Sequence, residues 1–347
     1  TGSIKGKLMH DVKGARAYCQ GHISDPDRVG VRALDDVTLE VELERPTGYF
    51  PHLLTVQESL PVPRHIVEAH GEAWTDVEKI VTNGPFSLEA WQPGRSAILA
   101  RNPTYHGRFA GNVQRLEISL LADPSAKLAL YEAGGLEILH LDHLPAADLD
   151  RARHRHAADY VLGPSTGMEY VGFGASRPPF DDPRVRRAFV LATDRTKLVD
   201  KALRGTRFPA TGGYVPPGMP GHSAGIALPY DPQGARQLLA EAGYPGGRGF
   251  PVVEFLTDHK RRPHCEYLEA QWRENLGVEI SEQILPWVTF YDRLFCGEPL
   301  HIFCCGAPAI YPDPDDYMRA PVVQRLTRRQ NRTYEPLVEE ARRVTEP

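Results

Sequence analysis

Residues 221–225 read Gly-His-Ser-Ala-Gly, the G-x-S-x-G spacing of a nucleophile elbow. In that device a tight strand-to-helix turn lifts a serine towards a base that takes its proton. The flanks do not supply the turn. Pro-Pro-Gly-Met-Pro stands before Gly221 where an apolar strand is needed, and Ile-Ala-Leu-Pro-Tyr-Asp-Pro follows Gly225 where a helix is needed. A flexible Gly/Pro loop explains the run, and Ser223 survives only as the centre of a serine-esterase alternative. His140, His143, His154 and His156 lie close together in the chain, and imidazole pairs hold zinc or nickel. Here a predicted helix separates the pairs, no cysteine is near, and Arg151, Arg153 and Arg155 interleave with them, which is the pattern of a solvated face. GYPGGRG at 243–249 lacks the Lys and Thr of a Walker loop and reads as a helix-end turn. The sequence therefore assigns no catalytic residue, no metal and no cofactor, and predicts a protein that is not an enzyme.

The elements that would position any site are better marked. In Pro178–Lys201, Val185, Ala188, Phe189, Leu191, Ala192, Leu198 and Val199 recur at three- and four-residue spacing, an apolar stripe along a helix. Asp181 or Asp182 caps its start and Pro183 sits just inside. Arg184, Arg186, Arg187 and Arg195 occupy the other face, expected to be solvated. At 347 residues the chain has room for two or three domains. A formal charge of −5 and the mixing of arginines with acids exclude a nucleic-acid binder. No apolar run approaches the ~20 residues that cross a bilayer. Five cysteines, two of them adjacent at 304 and 305, make a poor disulfide framework and read as buried free thiols, a mild lean towards a reducing compartment. Thr1 follows no charged-then-apolar leader, as expected of a processed or trimmed form or a cytoplasmic piece.

In chain order, a short helix in residues 11–21 precedes an alternating hairpin over 31–43, and a helix starts at Tyr49. Residues 61–75 give a short helix closed by Gly71. Two strands within 83–107 join at Gln92-Pro93-Gly94, and a strand over 113–121, a helix over 124–133 and a short strand over 136–141 suggest a crossover unit. A second α/β series follows: helix 232–242, strand 252–256, helix 266–275, strand 278–284, helix 289–295 and strand 300–304. An amphipathic helix over 334–344 comes last.

Six blocks, DDVTLEVELERPTGYF (35–50), PVPRHIVEAHGEAW (61–74), NGPFSLEAWQPGRSAILARNPTYHG (83–107), PPFDDPRVRRAFVLATDR (178–195), YDPQGARQLLAEAGYPGG (230–247) and YPDPDDY (311–317), together resemble the oligopeptide and dipeptide substrate-binding proteins of ABC importers, extracellular solute-binding family 5. The resemblance implies an α/β periplasmic-binding fold of type II, cluster C: two α/β lobes around a cleft and a smaller extra domain. It implies residues 1–58 in the extra domain, 59–165 in the first lobe and 166–347 in the second. Family members carry further segments before the position of Thr1 and after that of Pro347, so it also implies a fold incomplete at both ends, whose first-lobe sheet needs partner strands.

The same resemblance carries the candidate ligand-binding residues. Peptide-binding relatives place an acid just before the YPDPD-like stretch, where it pairs with the ligand's free amino terminus. Here that position is Ile310, which implies a neutral, less polar or differently anchored ligand, since a buried charge needs its partner. Asp313 is the possible substitute, with turn chemistry as the other explanation. Trp287 matches a cleft aromatic, with a core tryptophan the competing reading. Asn83 and Gly84 match a lobe-edge loop. Of Tyr170 and Phe173, one is expected at the cleft and one in the core. Cys304, Gly306 and Ala307 form the backbone wall leading to Ile310, small residues that suggest a roomy pocket. The function implied is that of an extracytoplasmic solute-binding protein, periplasmic or lipid-anchored, closing on a peptide-like or small organic solute. Its partner would be an ABC permease, and the protein itself a monomer. A ligand-sensing domain of a larger regulatory protein, then cytoplasmic, is the alternative.

Overall fold

A computed structural model of the chain describes residues 8–141, 144–163, 165–318, 326–327 and 331–344. The chain divides into two compact units, one made of Thr1–Ser59 with Leu162–Pro347 and one of Leu60–Val161.

The first unit opens with helix α1 (Ala15–Cys19), the antiparallel hairpin β1 (Val31–Ala33) and β2 (Leu39–Val41), and helix α2 (Phe50–Leu53). Elements this short hold only through what they bury. Leu8, Val12, Tyr49, Phe50, Leu53 and Tyr311 form one small core, so the segment packs on the distant 311 region. Asp11 is buried there, accepting from the Tyr49 hydroxyl at 2.7 Å.

In the second unit, α3 (Arg64–His70) is closed by Gly71 at φ 56°, as expected, and a separate 3-10 turn over Gly71–Thr75 follows. Strands β3 (Phe86–Gln92), β4 (Ser96–Arg101) and β5 (Arg115–Ser119) form an antiparallel sheet in that order. Helix α4 (Pro124–Glu132), capped by Asp123 accepting from Ser125 N at 2.9 Å, and helix α5 (Ala146–Arg155) follow. Residues 136–141 are irregular instead of the predicted strand, and the crossover unit is not formed. With Ile138 79% exposed, the apolar run there has neither a core nor a ladder to join.

The chain re-enters the first unit at β6 (Gly167–Phe173). Helices α6 (Pro183–Leu191), α7 (Arg195–Lys197) and α8 (Pro232–Glu241) follow, then β7 (Val253–Asp258), α9 (Arg262–Leu276), β8 (Ile280–Leu285), α10 (Trp287–Cys296), β9 (Ile302–Pro308), α11 (Asp315–Met318) and α12 (Tyr334–Ala341). The second predicted α/β series is thus present element by element. Its sheet runs β6-β9-β7-β8, with β7 parallel to β8 and β9 and with β6 antiparallel to β9. Side chains alternate along the strands as strand geometry requires. Val253, Phe255, Ile302 and Cys304 join the core with α6, α8 and α9, while Leu256, Phe303 and Cys305 meet Phe290 and Leu294 of α10 on the other face.

Asp182 caps α6, accepting from Arg184 N at 2.8 Å. The arginines of α6 and α7 are not a merely solvated face. Arg184 donates to the Glu241 carbonyl at 2.7 Å, Arg186 to the Asp181 carbonyl at 3.0 Å, and Arg195 to the Leu228 carbonyl at 2.8 Å. They answer carbonyls that helix and loop ends leave unsatisfied. Cys265, Cys304 and Cys305 are buried free thiols as expected, while Cys19 is exposed.

Candidate functional site

Because β7, β8 and β9 are parallel, their carboxyl ends share one edge of the sheet, and the start of antiparallel β6 lies at the same edge. In open α/β sheets the loops at carboxyl ends are where ligands bind, since the helices cover both faces. Four loops and strand ends therefore define the candidate site of the first unit: Asp258–Arg261 after β7, Pro286–Trp287 after β8, Pro308–Ile310 after β9, and Glu169 near the start of β6.

At the centre of this edge is Arg261, only 6% exposed. The Asp258 side chain caps the turn after β7 by accepting from Lys260 N at 2.8 Å and Arg261 N at 3.1 Å, and its other oxygen pairs with the guanidinium. Arg261 Nη2 donates to the Gly306 carbonyl of β9 at 3.2 Å, and its Nε lies 3.4 Å from Glu169 Oε1 of β6. The guanidinium stands 6.0 Å from the centre of the Trp287 ring. His264 Nε2 lies 2.7 Å from Glu169 Oε2, an ion-pair approach off the line of a good hydrogen bond, because neither ring nitrogen has an aligned partner. Burial alone would raise the Glu169 carboxyl; His264 and the charges of Arg261 and Arg207 outweigh it and hold the group down at about 2. Burial, despite the neighbouring Tyr170 hydroxyl, pushes the Tyr214 hydroxyl up to about 12.

Trp287 is half exposed at the start of α10, its ring 5.7 Å from Phe290 and 5.8 Å from Tyr291. Ile310 is 44% exposed, and its N–H donates to Asp316 at 2.6 Å. Asp313 accepts from Asp315 N at 2.8 Å, an Asx turn inside the acidic run. Tyr170 is half-buried against Tyr214 and Phe303, whereas Phe173 stacks on Phe180 in the core under α6. Cys304 is 2% exposed, its thiol held in the core beside Cys265, whose contact together with burial raises it well above the usual thiol range. Gly306 is buried too. A methyl group there would sit 2.7 Å from the Met168 carbonyl oxygen and 2.8 Å from Glu169 Cγ, so the space beside this glycine is already filled. Ala307 pairs with Met168 through the β6–β9 ladder. Asn83 and Gly84 belong to the second unit, where Asn83 is exposed and Gly84 is turned by bonds from its N–H to Thr82 Oγ1 and from Asn102 Nδ2 to its carbonyl.

The structure thus brings Gly306, Trp287 and Ile310 to one sheet edge, and adds Glu169, Asp258, Arg261 and His264, which the sequence reading missed. The signal was present in Asp-His-Lys-Arg-Arg-Pro-His at 258–264, an acid closing a strand before a basic helix start. Ser223 lies on an exposed stretch with neither a strand before it nor a helix after it. His140 and His154 are exposed and His156 faces Glu132 at 3.8 Å; no metal-holding group occurs among the described residues, and His143 lies outside them.

Comparison with known proteins extends this picture. The family model described as bacterial extracellular solute-binding proteins, family 5 Middle, matches residues 5–324. The probable deoxycholate-binding periplasmic protein YgiS of Escherichia coli is 28% identical over 96% of this chain and 63% of its own length. The periplasmic oligopeptide-binding protein OppA of the same organism is 28% identical over 87% of this chain and 58% of its own length. The chain spans about three-fifths of the length of these relatives. Among solved structures, a periplasmic oligopeptide-binding protein of Borrelia burgdorferi superposes with a TM-score of 0.76 at 24% identity, covering 99% of this chain and 69% of that one. The fold is that of the type II periplasmic binding proteins.

Proposed function

The chain belongs to the bacterial extracellular solute-binding proteins of family 5, and from that premise we propose that it captures an apolar or peptide-like solute outside the cytoplasm for an ABC importer. The observation that carries this reading is the pairing of two exposed apolar side chains, Trp287 and Ile310, with a charge-balanced interior at the carboxyl edge of one sheet. A surface of that kind holds its ligand through contact area and backbone polar groups. It performs no covalent step. On the resemblance, Ile310 stands where an amine-binding acid is expected, and the proposal is that recognition here does not depend on a free amino group. One relative is named for deoxycholate and another for oligopeptides; exposed apolar side chains suit both the hydrophobic body of such an amphiphile and a peptide held by its backbone.

Titration calorimetry with a short alanine peptide, free and N-acetylated, and with deoxycholate tests this. Acetylation is expected to change affinity less than about threefold. A loss of tenfold or more, which is about 1.4 kcal/mol, would show that an amine-binding acid exists and that Ile310 has been misread.

A further inference from the structure

Arg261 looks at first like a receptor for a ligand carboxylate: a guanidinium at the carboxyl edge of the sheet, beside an exposed tryptophan. Its surroundings argue otherwise. Two carboxylates, Asp258 and Glu169, already face it, and its remaining fork nitrogen is spent on the Gly306 carbonyl. At 6% exposure it has little surface left to offer. An anion brought against the guanidinium would meet Asp258 and Glu169 already seated on it, with the charge of Arg207 and the ring of His264 directed at Glu169 in turn.

The same contacts have a different geometric meaning. Asp258 ends β7, Glu169 lies near the start of β6, Gly306 is in β9, and Trp287 follows β8. A single guanidinium therefore touches something belonging to, or directly following, every strand of the four-stranded sheet, all at one edge. Arginine suits this because its planar fork holds several acceptors in fixed directions while its flat face meets an aromatic ring; a lysine ammonium does neither.

We infer that Arg261 is a positioning residue which locks the four strand ends together and sets the tilt of the Trp287 ring, without itself contacting solute. The inference rests on the solute-binding reading above for its consequence in affinity, but the placement of Trp287 stands in the empty protein as well.

Two measurements test it, using Arg261→Lys and Glu169→Gln. In ligand-free protein, the tryptophan emission of Arg261→Lys shifts to the red as the Trp287 ring loosens, and the shift disappears when the same change is made in a Trp287→Phe background. Glu169→Gln, which removes one restraint, gives a smaller shift. With tetra-alanine as probe, as the free acid and as the C-terminal amide, wild type binds the two within about threefold of each other, and Arg261→Lys weakens both about tenfold. An unchanged emission spectrum in Arg261→Lys overturns the inference. So does a tenfold preference of wild type for the acid that vanishes in Arg261→Lys, since Arg261 would then be the carboxylate receptor. If wild type binds neither peptide nor deoxycholate, the solute-binding reading fails, and the emission measurement still decides the placement of Trp287.

Discussion

The carboxyl of Glu169 is the residue whose behaviour in solution most directly reports the candidate site. Its folded-state value of about 2 lies below the ordinary 4.5. A depressed acid stabilises the fold fully above its unfolded value and loses that contribution as pH falls towards its folded value. The stability difference between wild type and Glu169→Gln is therefore expected to be constant above about pH 4.5 and to shrink from there towards about pH 2. Urea melts of both proteins across that range check it, and parallel curves would mean the carboxyl feels no net pull from Arg261 and His264. None of this was legible in the sequence, and the reason is physical. Glu169 precedes His264 by most of a lobe, and only the β6–β9 pairing and the start of α9 bring them together. Trp287 and Ile310 were found because the resemblance supplied their positions; spacing alone offers no such register.

Among the elements, α9 shows how a helix is held when its sequence periodicity is modest. Trp272 is 1% exposed between Phe189 and Phe255, and its Nε1 donates to the Phe189 carbonyl at 3.2 Å and to Thr193 Oγ1 at 3.0 Å. Gly277 ends the helix at φ 71°, a left-handed position where a side chain would also strike the Gly246 carbonyl. Trp272→Ala opens a large cavity and removes the indole donor from Thr193 Oγ1, while the Phe189 carbonyl keeps the Thr193 hydroxyl at 2.8 Å, an expected loss of about 3–5 kcal/mol in a chemical-denaturation experiment. A loss under about 1 kcal/mol would show that α6 and α9 are not locked through this ring. The sequence reading placed the starts of α6 and α8 and the end of α9 because each carries its own punctuation, Asp182, Asp231 and Gly277, but it ran the stripe of α6 on to Val199, whereas the helix ends at Leu191 and Asp194 caps a separate α7. It failed at 136–141, where apolar composition suggested a strand. A strand exists only with a neighbour, and composition does not report neighbours.

For the molecule as a whole, one ion-pair group ties remote parts of the first unit. Arg342, just past α12, lies 3.0 Å from Asp11 and 3.0 Å from Asp315, and its guanidinium also meets the Tyr49 hydroxyl. All three charged groups are largely buried. Arg342→Ala leaves two acids without their shared cation, and the expected cost is about 3 kcal/mol. Hydrogen exchange should show the hairpin β1–β2 and the segment around Tyr311 losing protection together, whereas loss confined to α12 would mean the group is only a local clasp. The order in which the chain is made gives this contact a further consequence. Asp11 and Arg342 are 331 residues apart, so a chain emerging from its amino end carries the acid long before its cation appears. Until then Asp11 and Asp315 lack their shared cation even where the apolar contacts with Tyr311 have formed, and closing so long a loop is a late event. The Arg342 contact thus closes only after every apolar member of the small core it covers has been made, a late ionic seal on an interior already assembled.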